Sequence, residues 1–327
     1  MTKAIKKMKK PTLIGLFCLI NMSIFGQSAN DSQHLDFLKQ DSIKSSLDGT
    51  TQYFYYSHAE GKKAQPLVVG LHSWSNTAET QKGLISNEVH DKNWHFIFPN
   101  FRGVNNHPKA CCSEFVISDI DEAIDWALKN MNVDPKRIYV VGHSGGGYAT
   151  LSMYMKSRHD IRAFSAWASI SDLTAWYTES VERKNKYAAE IIQCTSGGNT
   201  FDAEKAKGRS PLFWTTPIKK RKKSHLQIYA GIHDGYTGSV PISHSINFYN
   251  KLLTDYKEKD KSKFVSADDA SLMLKTQAFS NSNQKTTTLL DDRAILYQKS
   301  SKNIQLTIFE GTHEILTKVV LEQLVHF

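Results

Sequence analysis

The chain has 327 residues, of which 40% are hydrophobic, and 41 basic against 32 acidic side chains give a formal net charge of +9. This length and hydrophobic content are enough for one sizeable core. A typical size of about 150 residues per domain would allow two domains, but single α/β domains often reach the length of this chain. The positive charge is not accompanied by aromatic-basic interleaving or a recognition motif, so we exclude nucleic acid as a partner.

The N-terminal segment has the pattern of a secretory signal peptide. Five lysines between positions 3 and 10 precede the uncharged apolar stretch Thr12–Phe25, and small residues follow at positions 26 and 28, the two that a signal peptidase reads. The stretch is short for a transmembrane helix, which needs about 20 residues, although a retained anchor is the alternative. We therefore expect residues 1–28 to be removed and residues 29–327 to form a single periplasmic or secreted domain without a stable membrane anchor.

Loss of the signal changes the charge balance. The remaining 36 basic and 32 acidic side chains give a net charge of +4, and much of the positive charge lies in the basic block Lys219–Lys223. Such a block is typical of a solvated loop. If it binds a partner, an anionic polymer is the class it suits.

The mature chain keeps three of the four cysteines, Cys111, Cys112 and Cys194. Exported proteins can form disulfides, and adjacent cysteines rarely pair with each other, so we expect Cys194 to be bonded to Cys111 or Cys112. The cysteine spacing fits no zinc pattern. We expect neither a metal site nor a cofactor.

Strand-like and helix-like segments alternate along the chain. The predicted strands are mostly near-continuous apolar runs, typical of strands buried on both faces: Gln52–Ser57, Pro66–Trp74, Trp94–Phe101, Arg137–Gly142, Ala163–Ser169, His225–Ile232 and Ile304–Gly311. The predicted helices are Phe115–Asn130, Tyr148–Arg158, Ile242–Tyr256 and Glu314–Val325. This alternation predicts a doubly wound α/β sheet.

Two segments interrupt the alternation. Thr174–Thr216 is rich in tryptophan, tyrosine and glycine and is a candidate wall of a substrate site. Lys257–Asn303 is polar and predicts a surface excursion. Its last part predicts a hairpin, in which Ala294–Gln298 pairs with the final strand.

The sequence GHSGG at positions 142–146 fits the motif G-x-S-x-G, between a predicted strand and a predicted helix. A serine nucleophile on such a sharp, strained turn needs small residues two positions to either side, where strand and helix approach each other. Ser144 is therefore the predicted nucleophile. Phosphate loops require G-x-x-x-x-G-K-[ST], but no lysine follows here, and dinucleotide sites require G-x-G-x-x-G, a spacing that is not present.

A serine hydroxyl needs a general base, and that base needs an orienting carboxylate. Asp234 follows one predicted strand and His313 follows the last strand, so both are expected at the same sheet edge as Ser144. We predict His313 as the base and Asp234 as the orienting acid. His244 and Asp172 are the alternatives.

Two backbone N–H groups are expected to stabilise the developing oxyanion. One is that of Gly145, directly after the nucleophile, and the other is that of Trp74, in the loop after an earlier strand. We expect His72 to order this loop by hydrogen bonding and His143 to be structural.

Five sequence blocks carry a family resemblance: GLHSWSN, NFRG, VDPKRIYVVGHSGGGYAT, AGIHDGYTGSVP and FEGTHE. They resemble the catalytic-domain blocks of prolyl-oligopeptidase-like α/β-hydrolases, from about residue 67 to residue 327. The resemblance implies a mostly parallel eight-stranded sheet with helices on both faces, and it assigns Ser144, Asp234 and His313 as the triad.

The chain also departs from the oligopeptidases, which carry a large β-propeller before the hydrolase domain. Only about 38 residues separate the expected cleavage point from Leu67, too few for a propeller. Compact exported members of the superfamily include many carbohydrate and feruloyl esterases. We therefore do not expect peptide specificity to be inherited.

Aromatic residues expected near the sheet edge suit sugar rings and apolar acyl groups, although core packing explains each one alone. The candidate substrate contacts are Tyr148, Trp176, Tyr177 and Tyr236. We favour an exported esterase that cleaves acyl esters on polysaccharide through an acyl-enzyme, with acylated carbohydrate as its partner. The alternatives are a prolyl-oligopeptidase-like peptidase, a lipid or small-ester hydrolase, and a non-catalytic binding protein on a hydrolase scaffold.

Overall fold

The computed structural model describes residues 35–279 and 289–326. The predicted signal peptide lies outside these residues. Leu35–Phe327 groups as one compact unit. None of the helices in the described ranges combines the length and apolarity that crossing a bilayer requires.

Ten strands of the described chain form one sheet. In chain order they are β1 Lys39–Lys44, β2 Thr51–Ser57, β3 Gln65–Leu71, β4 His95–Pro99, β5 Val133–His143, β6 Ala163–Trp167, β7 His225–Gly231, β8 Leu289–Leu290, β9 Arg293–Ser301 and β10 Ile304–Phe309. Their order in the sheet is β1-β2-β4-β3-β5-β6-β7-β10-β9-β8. The central strands from β4 to β10 are parallel to one another, whereas the two strands at each edge pair antiparallel.

The predicted α/β architecture is confirmed, but the expected number of eight strands is too low. The two additional strands are β1 and β8, and β8 comes from the segment predicted as a polar surface excursion. The predicted hairpin is confirmed, because β9 pairs antiparallel with β10. The sequence did not predict β1, since its side chains are almost all exposed and carry no apolar pattern.

Eleven helices are present in the described ranges. They are α1 Ala78–Gln81, α2 Ser86–Asp91, α3 Glu114–Asn130, α4 Gly145–Lys156, α5 Leu173–Glu182, α6 Tyr187–Thr195, α7 Ala203–Gly208, α8 Ile218–Arg221, α9 Ser243–Asp255, α10 Ala267–Thr276 and α11 Thr317–Leu324. The four predicted helices correspond to α3, α4, α9 and α11. The aromatic-rich segment 174–216 supplies most of α5 and all of α6 and α7.

Helices cover both faces of the sheet, which explains why its strands lack polar alternation. Successive residues of β3 enter two different buried clusters. Leu67 belongs to a cluster with Ile120 of α3, and Val68 belongs to a second cluster with Val89 of α2 and Val320 of α11. Each strand therefore buries side chains on both of its faces.

A disulfide joins the loop before α3 to helix α6. It links Cys111 and Cys194, with Cα atoms 6.1 Å apart, which confirms one of the two expected pairings. Cys112 is buried and unpaired, and burial raises the pKa of its thiol to about 12.

The basic block Lys219–Lys223 is not a solvated loop throughout, because Arg221 at its centre is buried. Its guanidinium donates to four backbone oxygens at the C-terminal end of α4, those of Met153, Tyr154, Ser157 and His159, over 2.7–3.1 Å. A cation at a helix C-terminus satisfies carbonyls that have no partner within the helix. The four lysines of the block are exposed, as expected.

We expect Arg221→Ala to lower the free energy of unfolding by about 3 kcal/mol, since it leaves several buried carbonyls without donors. Lys222→Ala is the matched control, because its exposed side chain should change stability by less than about 0.5 kcal/mol. Urea unfolding followed by circular dichroism measures both. Equal, small changes in the two variants would contradict the capping role.

Candidate active site

Ser144 occupies the sharp turn between β5 and α4. Its backbone lies at φ 58° and ψ −117°, a region that residues other than glycine rarely adopt. The turn is held because the Ser144 N–H donates to the Trp167 carbonyl over 2.8 Å and the Ser144 carbonyl accepts from Tyr148 N–H over 2.8 Å. Such strain costs on the order of 1–3 kcal/mol and persists only where the surroundings determine it.

The two glycines that frame the motif are required by close backbone contacts. A Cβ at Gly142 would lie 2.1 Å from the Gly146 carbonyl oxygen, and a Cβ at Gly146 would lie 2.1 Å from the Leu71 carbonyl oxygen. These distances leave no room for any side chain. The motif thus packs the start of α4 directly onto β5 and the end of β3.

Asp234 and His313 form a hydrogen-bonded pair. His313 Nδ1–H donates to Asp234 Oδ2 over 2.8 Å, and the other carboxylate oxygen accepts from Val240 N–H over 3.0 Å. The Asp234 carboxylate is fully buried, whereas the His313 side chain is 15% exposed. Because Nδ1 is engaged by the carboxylate, Nε2 is the nitrogen left to exchange a proton with a reacting group.

The neighbouring strands β7 and β10 bring these two side chains together. They are parallel neighbours, and the loops that follow them touch. A Cβ at Gly231, the last residue of β7, would lie 2.2 Å from the Thr312 carbonyl oxygen, and His233 N–H donates to the Gly311 carbonyl over 3.0 Å. The loop after β7 that carries Asp234 (the acid loop) and the loop after β10 that carries His313 (the histidine loop) are therefore in direct backbone contact.

The imidazole rings of His143 and His313 lie with their centroids 4.7 Å apart. Since His143 immediately precedes Ser144, this contact places the Asp234–His313 pair beside the nucleophile turn. His143 itself is buried, and burial holds the pKa of its imidazole well below the ordinary value. It is thus a neutral packing partner of this turn.

The two alternative residues are engaged elsewhere. His244 is buried on α9, where Nδ1 accepts from Ser171 N–H over 3.2 Å and Nε2 lies 3.1 Å from a Glu179 carboxylate oxygen. Asp172 caps the N-terminus of α5, accepting from the N–H groups of Thr174 and Ala175. Neither is part of the constellation around Ser144.

The loop after β3 brings Trp74 against the nucleophile turn. A Cβ at Gly145 would lie 2.2 Å from the Trp74 backbone nitrogen, so the two residues are in direct backbone contact. Within the described residues the Trp74 N–H has no acceptor. His72 lies in the same loop, stacks on Phe101 at 3.9 Å, and its ring nitrogens face two backbone carbonyl oxygens. This matches the ordering role expected of His72.

Two of the four predicted substrate contacts are enclosed in the core. Tyr148 is 0% exposed, with its hydroxyl 2.6 Å from the Arg209 carbonyl oxygen, and Trp176 is 1% exposed and donates its indole N–H to the Ser239 carbonyl. The prediction is wrong for both, because side chains packed in this way present no surface to a substrate.

The other two predicted contacts reach the surface. Tyr177 is partly buried and stacks on Phe201 at 3.9 Å, whereas Tyr236 is 55% exposed and its hydroxyl donates to the Leu274 carbonyl. Their contact with substrate stays a prediction. In the described ranges, no three His, Cys, Asp or Glu side chains are grouped to hold a metal ion.

Sequence reasoning missed two residues that hold Trp74, namely Asn105 and Glu190. They lie 31 and 116 positions away along the chain and contact Trp74 through its carbonyl and its indole. No motif marks either residue, since only the folded chain brings them to this loop.

The prolyl oligopeptidase family model matches residues 112–285, more than half of the chain, including Ser144 and Asp234. The chain belongs to the prolyl oligopeptidase family. It is accordingly a serine hydrolase by family. Comparison with curated protein sequences gives no match.

Solved peptidase structures share the fold at low identity. The Pyrococcus horikoshii acylaminoacyl peptidase is 20% identical, with a TM-score of 0.52, over 67% of this chain and 35% of its own. An acylaminoacyl peptidase bound to Z-Gly-Gly-Phe-chloromethyl ketone is 17% identical, with a TM-score of 0.55, over 88% of this chain and 40% of its own. A Mycobacterium tuberculosis puromycin-hydrolyzing peptidase is 14% identical, with a TM-score of 0.56, over 88% of this chain and 37% of its own. Our chain thus spans well under half the length of these proteins.

The strain at Ser144 predicts an unusual order of stabilities. We expect Ser144→Gly to be more stable than Ser144→Ala by about 1 kcal/mol, because glycine adopts a positive φ without steric cost. Ser152, buried within α4, is the matched control. There the glycine variant should be less stable than the alanine variant by about 1 kcal/mol. Urea unfolding measures the four variants, and the same order at both positions would count against strain at Ser144.

The buried imidazole of His143 predicts a pH-dependent contribution to stability. Its pKa is depressed in the folded protein, so the unfolded chain takes up a proton first as the pH falls below about 6.5. We therefore expect the free energy of unfolding of the wild type, relative to His143→Gln, to decrease by about 1–2 kcal/mol between pH 7 and pH 5. Denaturant unfolding across this range measures it. Parallel stability curves would contradict a neutral, buried His143.

Proposed function

We propose that the protein is a serine peptidase that uses Ser144, His313 and Asp234 as its catalytic triad. The observation that carries the proposal is the 2.8 Å bond between His313 and Asp234 beside the strained Ser144 turn. A base oriented by a buried carboxylate, next to a serine on a strand-to-helix turn, is the arrangement that acyl transfer requires.

In the first half of the reaction, Ser144 Oγ attacks the carbonyl carbon of the scissile bond and His313 Nε2 takes the hydroxyl proton. The carbonyl oxygen becomes an oxyanion, which accepts hydrogen bonds from the backbone N–H groups of Gly145 and Trp74. When this intermediate collapses, the C–N bond breaks and His313 gives its proton to the leaving amine. The product is an acyl-enzyme on Ser144.

In the second half, His313 takes a proton from a water molecule, whose oxygen attacks the acyl carbon. The second oxyanion is stabilised by the same two N–H groups. Its collapse releases the carboxylic acid and returns the proton to Ser144. Asp234 keeps its charge throughout, and it holds the imidazole with Nε2 toward the serine.

Family membership supports a peptide substrate over the acyl ester on polysaccharide that the sequence analysis favoured. The matching family is that of prolyl oligopeptidase, and the three similar structures are peptidases by name. Below 25% identity these structures share a fold and not a specificity. The proposal is therefore limited to hydrolysis of a peptide bond and assigns no residue preference.

Export through the predicted signal peptide belongs to the same proposal. The Cys111–Cys194 disulfide supports it, because such bonds persist in oxidising compartments and are rare in the cytosol.

A fluorophosphonate probe should form an adduct on Ser144, and the wild type should cleave chromogenic peptide amides. Ser144→Ala should form no adduct, and Asp234→Asn should lower kcat by about 10⁴-fold because the imidazole loses its orienting charge. Steady-state kinetics on peptide amides, aryl acetates and acetylated polysaccharide measure these effects.

Asp172→Asn is the matched control for Asp234→Asn, because asparagine also caps a helix and should leave kcat near that of the wild type. Equal losses in the two variants would remove Asp234 from the triad. Turnover of acetylated polysaccharide without any amide turnover would restore the esterase hypothesis.

A further inference from the structure

The backbone carbonyl of Trp74 is held by a buried asparagine. Asn105 N–H and Asn105 Nδ2 both donate to the Trp74 carbonyl oxygen, over 2.9 and 3.3 Å. The side-chain oxygen of Asn105 accepts from Cys111 N–H over 2.7 Å. Asn105 thus joins the peptide segment of Trp74 to the first half-cystine of the disulfide.

The indole of Trp74 is held from helix α6. Its N–H donates to Glu190 Oε2 over 2.8 Å, and the other Glu190 oxygen lies 3.0 Å from Lys186 Nζ. Lys186, the residue before α6, also donates to the hydroxyl of Ser75 over 2.7 Å, so this segment holds the loop at Trp74 and at the next residue. The Trp176 ring packs edge-on against that of Trp74, with centroids 4.7 Å apart.

The disulfide connects these two supports. Cys111 follows Asn105 in the same loop, and Cys194 lies on α6 one turn after Glu190. Arg209 reinforces the junction, since its guanidinium donates to the carbonyls of Cys194 and Pro108 over 2.7 and 2.5 Å. The Trp74 backbone is therefore fixed between a loop and a helix that are covalently joined.

We propose that Asn105, Glu190 and the Cys111–Cys194 disulfide are positioning elements for the Trp74 N–H, which they hold in place to receive the oxyanion. The proposal rests on the proposed function, in which that N–H is a catalytic donor. Through Glu190 and Cys194, helix α6 thereby contributes to the rate of the chemical step. Loss of any one element leaves the triad intact and lets the N–H move away from the oxyanion.

An oxyanion donor acts in the transition state and contributes little to binding of the ground state. We therefore expect Glu190→Ala, Asn105→Ala and Cys194→Ala each to lower kcat by about tenfold or more, with KM changed less than about twofold. The affinity for a peptide aldehyde, which forms an oxyanion on Ser144, should fall in proportion to kcat/KM.

Rescue and control variants separate positioning from general structure. Glu190→Gln keeps an oxygen acceptor for the indole and should retain kcat within about threefold of the wild type. Glu182→Ala, exposed at the end of α5, and Cys112→Ala, which removes the free thiol, should both behave as the wild type. If Cys194→Ala fails to fold, the Glu190→Ala and Glu190→Gln pair decides the question.

A double-mutant cycle tests whether the disulfide acts through Glu190. In the Cys194→Ala background, Glu190→Ala should cost less than it does in the wild type, because both changes release the same side of Trp74. Wild-type kcat in both Glu190→Ala and Asn105→Ala would overturn the proposal, as would a rise in KM at constant kcat or fully additive effects in the cycle.

Failure of the proposed function would look different. A wild type that hydrolyses esters and leaves peptide amides intact would refute the peptidase assignment. The same kcat and aldehyde-affinity ratios, measured on the ester, would still confirm or refute the positioning role.

Discussion

The close backbone contact among β3, β5 and the start of α4 is the constraint on which the rest of the site depends. Gly142 and Gly146 approach neighbouring carbonyl oxygens so closely that a Cβ is excluded at both positions. This approach forces Ser144 into a positive φ and turns its side chain out of the strand direction. The same contact sets Gly145 against Trp74, so the proposed nucleophile Ser144 and the N–H groups of Gly145 and Trp74 are positioned by one packing contact. A strained residue persists there because the packed strands and helix determine its backbone.

Parallel strands supply the remaining groups at the same edge. The acid loop follows β7 and the histidine loop follows β10, and the backbone contact at Gly231 lets the two loops touch. The buried carboxylate of Asp234 then fixes the ring of His313. At the other end of α4, Arg221 caps the helix that begins with Gly145, the proposed oxyanion donor. Helix geometry, sheet geometry and one hydrogen-bonded carboxylate–imidazole pair therefore converge on a small region of the molecule.

Sequence reasoning succeeded where chemistry or periodicity leaves a local mark. The central strands and the helices α3, α4, α9 and α11 follow from apolar patterns, and the placement of Ser144, Asp234 and His313 at one sheet edge follows from a motif and from their positions after strands. It failed where long-range packing decides. Nothing local distinguishes the enclosed Tyr148 from the exposed Tyr236, or the buried Arg221 from the lysines around it. The polar β1 and the two-residue β8 carry too little apolar pattern to be predicted, and Asn105 and Glu190 contact a tryptophan that is distant along the chain.

The central claim is that Ser144, His313, Gly145 and Trp74 surround one reacting carbonyl group. A crystal structure of the protein phosphonylated on Ser144 tests it most directly, because the phosphonyl oxygen mimics the oxyanion. We expect this oxygen within about 3.1 Å of the backbone nitrogens of both Gly145 and Trp74, with His313 Nε2 facing Ser144 Oγ. A phosphonyl oxygen that points away from both nitrogens, or an adduct on another serine, would contradict it.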